Sequence, residues 1–220
     1  MTKNKFCSKS LSIDVKLNIN QLLLVNAHLG HTRKFLDIKI KPYLLGHRGN
    51  IYILNLTYTL YHFKLLAINI INLVSLRKKI LLVNERALFN FKSIMNLDNI
   101  YYYDVKWIGG ILTNYKKVKQ GFKFKKDNKS LRSLRYMKAL PSLIFFFDVN
   151  LSYWALIEAS NLDIPIAALI DTNSNWLGPV NYPIIANNKP FEAIYLYLKL
   201  IRNAGLKGRQ KELLKILRLH

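Results

Sequence analysis

The sequence has one cysteine in 220 residues, Cys7. A single thiol forms no disulfide within the chain and builds no zinc site of the cysteine type. Acids are scarce as well: 12 Asp and Glu stand against 34 Lys and Arg, a formal net charge of +22. Long apolar runs are missing. A membrane-spanning helix needs roughly 18 to 20 apolar residues, and the best stretch, 65–74, is broken by Asn69 and Asn72. Neither G-x-G-x-x-G nor G-x-x-x-x-G-K-[ST] occurs, and no local motif suggests a Ser/His/Asp arrangement. These absences remove the signatures of a disulfide scaffold, a helical membrane protein and the common nucleotide-binding enzymes.

What is present is basic. A surplus of this size suits a polyanion, most simply nucleic acid, because each neutralised phosphate releases counterions. The charge is uneven. From Lys106 to Lys138 there are eleven basic residues and one acid, Asp127; from Arg202 onward there are six and one, Glu212. Between them, 139–201 holds two lysines against five acids, so basic segments flank a nearly neutral apolar one. The N-terminus carries neither an apolar signal core nor the Arg-rich amphipathic pattern of a transit peptide, and the expectation is a protein that is not secreted. Lys (25) and Asn (22) abound with Ile, Leu, Tyr and Phe, while Arg (9), Ala (11) and Gly (9) are few. The abundant residues have A/T-rich codons, which points to an A/T-rich genome such as an organelle's.

Along the chain, residues 1–17 read as a basic arm, 18–205 as one α/β domain and 206–220 as a basic tail. Helical spacing of Leu22, Leu23, Val25 and Leu29 predicts a helix over 18–29. Residues 46–50 read as a turn, 51–56 as a strand, and Thr57 as the cap of a helix to about residue 76. The pattern repeats: strands at 79–84, 99–104, 143–148 and 165–171, with helices at 85–97, 152–162 and 190–203, the last stopped by Gly205. Near-continuous apolar strands alternating with helices predict a doubly wound parallel sheet covered on both faces. The basic segment 113–140 interrupts the rhythm as an excursion.

Candidate chemistry is sparse. Trp107-Ile-Gly109-Gly110-Ile-Leu-Thr113-Asn114 makes a specific turn with Lys116, Lys117 and Lys119 beyond it. It could hold a phosphate or serve as a structural turn; the spacing of a phosphate loop is absent. Asp148 and Asp171 end strands, where catalytic carboxylates lie in such folds, but they also suit turns and caps. His28 and His31 are too few for a metal site, and next to Arg33, Lys34, Lys39 and Lys41 they suit hydrogen bonds to RNA or backbone. Phe122 and Phe124 among lysines suit RNA stacking or anchoring of the excursion.

Four blocks, in order, resemble the small-subunit ribosomal protein S2 family. The first is Ala27-His28-Leu29-Gly30-His31-Thr32-Arg33, then Lys39-Ile40-Lys41-Pro42-Tyr43 and Gly46-His47-Arg48-Gly49-Asn50-Ile51-Tyr52-Ile53. The second is the Trp107–Asn114 turn, similar to the family's W-x-G-G-x-L-T-N. The third runs from Leu140-Pro141 through Asp148 to Glu158-Ala159. The fourth runs from Ile164-Pro165 through Asp171-Thr172-Asn173 to Tyr182-Pro183-Ile184 and Asn187. The resemblance spans about residues 20–203. It implies a flavodoxin-like α/β domain with a helical protrusion and no catalysis. It further implies partners in small-subunit rRNA and neighbouring ribosomal proteins where head meets body, with no cofactor, metal, membrane or small-molecule substrate.

Within that resemblance, Arg33, Lys34, Lys39, Lys41 and Arg48 are the expected phosphate contacts, followed by Lys116, Lys117 and Lys119. Trp107, Gly109, Gly110, Thr113 and Asn114 are the expected structural turn. Departures are visible. Only twenty-six residues separate Asn114 from Pro141, so the family's long hairpin is shortened here. Asn188-Lys189 replaces an acidic pair, Ser174 stands where many relatives have Cys, and a basic tail replaces the C-terminal extension of some relatives. The shortened hairpin, codon bias and charge point to a mitochondrial member in the matrix, encoded by the organelle; a plastid or bacterial cytoplasm is the alternative. The competing reading is a doubly wound enzyme using Asp148 and Asp171 on a phosphorylated metabolite in an open pocket, or a free RNA-binding module.

Overall fold

The computed structural model describes residues 17–86, 97–122, 134, 136–174 and 179–217. Among these, eight strands form two sheets. β1 (Leu29–Thr32), β2 (Leu44–Arg48) and β3 (Ile51–Leu54) make a small antiparallel sheet in the order β1-β3-β2. β4 (Ile80–Val83), β5 (Ile100–Tyr103), β6 (Leu143–Phe146), β7 (Ile166–Ile170) and β8 (Tyr182–Ile185) make a parallel sheet in the order β5-β4-β6-β7-β8. The helices are α1 (Ile19–Leu24), α2 (Leu56–Ser75), α3 (Tyr115–Phe122), α4 (Tyr153–Asn161) and α5 (Phe191–Leu217).

The parallel strands are apolar on both faces because each face has its own core. Ile80, Leu82, Leu143, Phe145, Ala167 and Leu169 point into one, with α2 and α5. Leu81, Val83, Ile144, Phe146, Ala168 and Ile170 alternate into the other, with α4 and Trp107. A period of two that fills both sides is what a doubly wound sheet requires. The strand order, reversing between β4 and β6, is the flavodoxin-like one.

The first quarter of the chain departs from the sequence reading. The helix over 18–29 stops at Leu24, and Leu29 already begins β1. Residues 46–48 are strand, not turn: Arg48 pairs with Ile51, so Gly49-Asn50 is a two-residue hairpin loop, with Gly49 at φ +59°. The strand expected over 51–56 ends at Leu54 and lies in the antiparallel sheet, outside the parallel one. Asn55, rather than Thr57, caps α2, its side chain accepting the Thr57 N–H at 3.1 Å. Of the helix expected over 85–97, residues 87–96 lie outside the described residues, as do 1–16 of the arm and 123–133 of the excursion.

The C-terminal helix also differs. It does not stop at Gly205 but continues to Leu217, taking in most of what reads as a tail. Gly205 and Gly208 are buried, and neither has the positive φ of a helix stop. The local glycine signal was overridden by packing: a Cβ on Gly208 would lie 2.8 Å from Val74 Cβ and 2.9 Å from the Ile71 carbonyl oxygen on α2. At Gly205 the nearest atoms are only the tips of Leu97 and Ile100. Gly208→Ala is therefore expected to destabilise the fold by about 1–3 kcal/mol through overpacking. Gly205→Ala gains helix propensity of up to about 1 kcal/mol against side-chain tips that can move, and should be near neutral. Equal losses for the two in chemical denaturation would refute the close approach of α2 and α5.

Candidate nucleic-acid interface

In doubly wound folds ligands bind beyond the carboxyl ends of the strands, at the point where strand order reverses. Here internal contacts occupy that edge. Between β4 and β6, Arg86 Nη2 is ion-paired with Asp148 Oδ2, and Arg86 Nη1 donates to the Asn188 carbonyl at 2.9 Å. The other Asp148 oxygen accepts the N–H groups of Asn150 and Leu151 at 3.0 and 3.3 Å, closing the turn after β6. Asp171, fully buried at the end of β7, accepts from the Thr172 N–H at 2.6 Å and faces His31 Nδ1 at 3.2 Å.

The small sheet closes the β7 and β8 end. The His31 N–H donates to Thr172 Oγ1 at 2.7 Å, the Asp37 N–H to the Thr172 carbonyl at 2.9 Å, and the Asn187 N–H to the Ala27 carbonyl at 3.0 Å. Gly30 permits this approach, since a Cβ there would meet Thr172 Cγ2 at 2.5 Å. Asp148 is thus engaged through both oxygens and Asp171 through Oδ1, its Oδ2 being buried without a hydrogen-bond partner among the described residues, and His31 Nδ1 faces Asp171.

The Trp107–Asn114 turn is an anion cradle whose anion is the protein's own. Glu158 projects from α4, buried, and its Oε1 accepts the Trp107 indole N–H at 3.0 Å and the Gly110 N–H at 2.7 Å. Its Oε2 accepts the N–H groups of Leu112 and Thr113 at 2.9 and 3.3 Å. The Trp107 N–H donates to Glu85 at 3.1 Å, and its ring packs edge-on against Tyr103 with centroids 4.9 Å apart. Gly110 has φ +89°, a conformation that glycine adopts without strain, whereas Gly109 lies outside the left-handed region with open space about it. The Asn114 N–H closes the turn onto the Gly110 carbonyl at 2.9 Å. Glu158 stands in the third block of the resemblance, where the sequence assigns it no role. The available signal was that it is the one charged residue in the nine of α4.

The basic candidates are exposed instead. Arg33 and Lys34 lie in a 3-10 turn, Arg33–Phe35, that leaves β1; Lys39 and Lys41 lie in a second, Ile38–Tyr43; Arg48 ends β2. All five are exposed, and among the described residues none is ion-paired to an acid. Arg33 and Arg48 share one end of the small sheet, for Thr32 and Arg48 both pair with Ile51 and the Arg33 N–H donates to Asn50 at 3.1 Å. Lys116 and Lys117 are exposed on α3, beside an open groove of about 1030 Å³ floored by Leu112, Leu140 and Leu162. The side chains of Lys119, Phe122 and Phe124 lie outside the described residues.

The chain matches the family model described as ribosomal protein S2 over residues 22–129 and 119–208. It is 30% identical to the small ribosomal subunit protein uS2 of Shewanella loihica, over 90% of this chain and 93% of that protein. The uS2 proteins of Shewanella piezotolerans and Shewanella pealeana show the same identity and coverage.

Two outcomes follow from the turn. Glu158→Ala leaves four donors without an acceptor and should cost about 3–5 kcal/mol in urea unfolding; Glu158→Gln, which keeps one acceptor oxygen, should cost less. An alanine variant as stable as the parent would show that the turn does not depend on the carboxylate. Burial, assisted by the nearby carboxylates of Glu85, Asp104 and Glu158, pushes the Tyr103 hydroxyl up to about 12, against a lowering contribution from the Ile108 backbone. The folded state then holds this proton to higher pH than the unfolded state. Stability should fall from pH about 10 to about 12, by on the order of 2 kcal/mol from this group. Tyr103→Phe should flatten that alkaline limb, and an unchanged limb would assign the loss to other groups.

Proposed function

Because the chain belongs to the ribosomal protein S2 family, whose members are structural and not enzymes, we propose that it is a constituent of a small ribosomal subunit. In this reading it binds small-subunit rRNA and neighbouring ribosomal proteins at the head–body junction. One observation carries the RNA contact: Arg33, Lys34, Lys39, Lys41 and Arg48 are all exposed and lack acidic partners among the described residues. Elsewhere the protein does use its acids on its cations, as in Arg86–Asp148, Arg77–Glu212 and Arg209–Asp98. Five cations left unopposed on the first quarter of the chain suit the phosphates of an rRNA backbone. Lys116, Lys117 and Lys119 form a second group on α3, within a shortened protrusion over 113–140.

The mechanism is electrostatic docking followed by shape recognition, with no bond made or broken. A mitochondrial subunit is the proposed setting, supported by a composition rich in residues that have A/T-rich codons and by the +22 charge. Cell fractionation that finds the protein outside mitochondria would remove that assignment and leave the ribosomal one.

The ribosomal reading is tested by sedimentation of the native protein, which should travel with the small subunit; recovery only in free fractions would defeat it. For the isolated complex, neutralising about six phosphates implies an affinity loss of about a thousandfold between roughly 50 and 200 mM salt. Replacing Arg33 and Arg48 together with glutamine should lower the salt slope by about two. An association insensitive to salt would refute phosphate contact by these residues.

A further inference from the structure

Phe35 sits where charge alone would suffice. It is 62% exposed, in a segment whose other exposed side chains are chiefly the cations Arg33, Lys34, Lys39 and Lys41, with the apolar Ile38 at 82%. It belongs to neither core. Yet its backbone is held on both sides. The Arg33 N–H donates to the Asn50 carbonyl at 3.1 Å, and the Asp37 N–H to the Thr172 carbonyl at 2.9 Å. The one acid of the segment, Asp37, is turned to its own backbone, accepting the Lys39 N–H at 3.0 Å. The fold therefore presents an aromatic ring to solvent from a short, pinned 3-10 turn, with cations before and after it.

A regular RNA duplex offers phosphates and riboses to such a surface but no base face. An unpaired nucleotide offers both a phosphate and a π-face, and aromatic rings among cations are how proteins hold single-stranded segments. Four exposed cations about the ring, against one exposed aliphatic side chain, Ile38, favour this polyanion over the face of a neighbouring protein. We propose that Phe35 stacks on an unpaired nucleobase of the rRNA, with Arg33 and Lys34 holding the phosphates beside it. This rests on the rRNA-binding reading above and narrows it, from phosphate contact in general to an irregular, unpaired segment at this turn. Anchoring at Asn50 and Thr172 reduces the ordering entropy that binding must cost.

The test uses the purified full-length chain and two probes: a single-stranded RNA of about ten nucleotides carrying 2-aminopurine, and a duplex of the same sequence. The parent protein should bind the single strand and shift the 2-aminopurine emission. Phe35→Ala should weaken single-strand binding about tenfold and abolish the shift, while duplex binding, the salt slope and the unfolding midpoint stay as they were. Phe35→Trp should restore both affinity and emission. Arg33→Gln should instead lower the salt slope by about 0.7. If Phe35→Ala binds the single strand like the parent while Arg33→Gln weakens it, stacking is overturned and phosphate contact stands. If the parent binds neither probe, the rRNA reading falls and stacking with it. If Phe35→Ala leaves RNA binding intact but loses a protein neighbour in reconstituted subunits, the ring belongs to a protein interface and the proposal is wrong.

Discussion

A carboxylate taken out of water without a cation must be solvated by the protein around it. Glu158 is solvated by four N–H groups that lie between 45 and 51 residues earlier in the chain. That requirement ties α4, on one face of the parallel sheet, to the path by which the chain leaves β5 and enters α3. Trp107 is held by its indole N–H and packs on Tyr103. Gly110 turns the backbone so that successive N–H groups converge, and α3 begins directly after. A run of converging amides is the same device that cradles phosphates elsewhere. Here the cradle is already filled, so the turn builds the fold rather than holding a ligand.

The same economy governs the strand ends. The edge where a doubly wound enzyme would admit its substrate is crossed by the Arg86–Asp148 pair and by the docking of the small sheet on Thr172 and Asn187. Acids are few in this chain, and near the sheet they are used inward. What remains outside is mostly positive. Buried acids such as Asp148, Glu158 and Asp171 serve the fold, while Arg33, Lys34, Lys39, Lys41 and Arg48 stand exposed without an acidic partner among the described residues.

The legible parts of the fold were those written in short-range pattern. The apolar runs within 79–84, 143–148 and 165–171 form β4, β6 and β7, since a strand buried on both faces has no polar alternation to conceal it. The misread parts were decided at a distance. Residues 46–48 carry turn-forming residues, yet pairing with β3 makes them strand. Gly205 looks like a helix stop, yet the helix continues because Val74 and Ile71 of α2 demand a residue without a side chain one turn further on, at Gly208. Of the candidate site, the basic residues were legible as such, because exposure and like charge need no partner to be read. The role of Glu158 was not, because its four partners lie in another block.

The sequence by itself determined the composition of the surface, the two-faced parallel sheet and the absence of a phosphate-loop motif. Each of these depends on residue type and near-neighbour spacing. Only the tertiary structure decided that the glycine turn is an internal anion cradle, that Gly30 is the clearance for a second sheet, and that Phe35 is held outward. Those facts are contacts between residues far apart in the chain, and no local periodicity encodes them. The physical reason is the same in each case: a buried charge, a close backbone approach or a pinned loop is defined by what lies opposite it, and only folding brings that opposite group within reach.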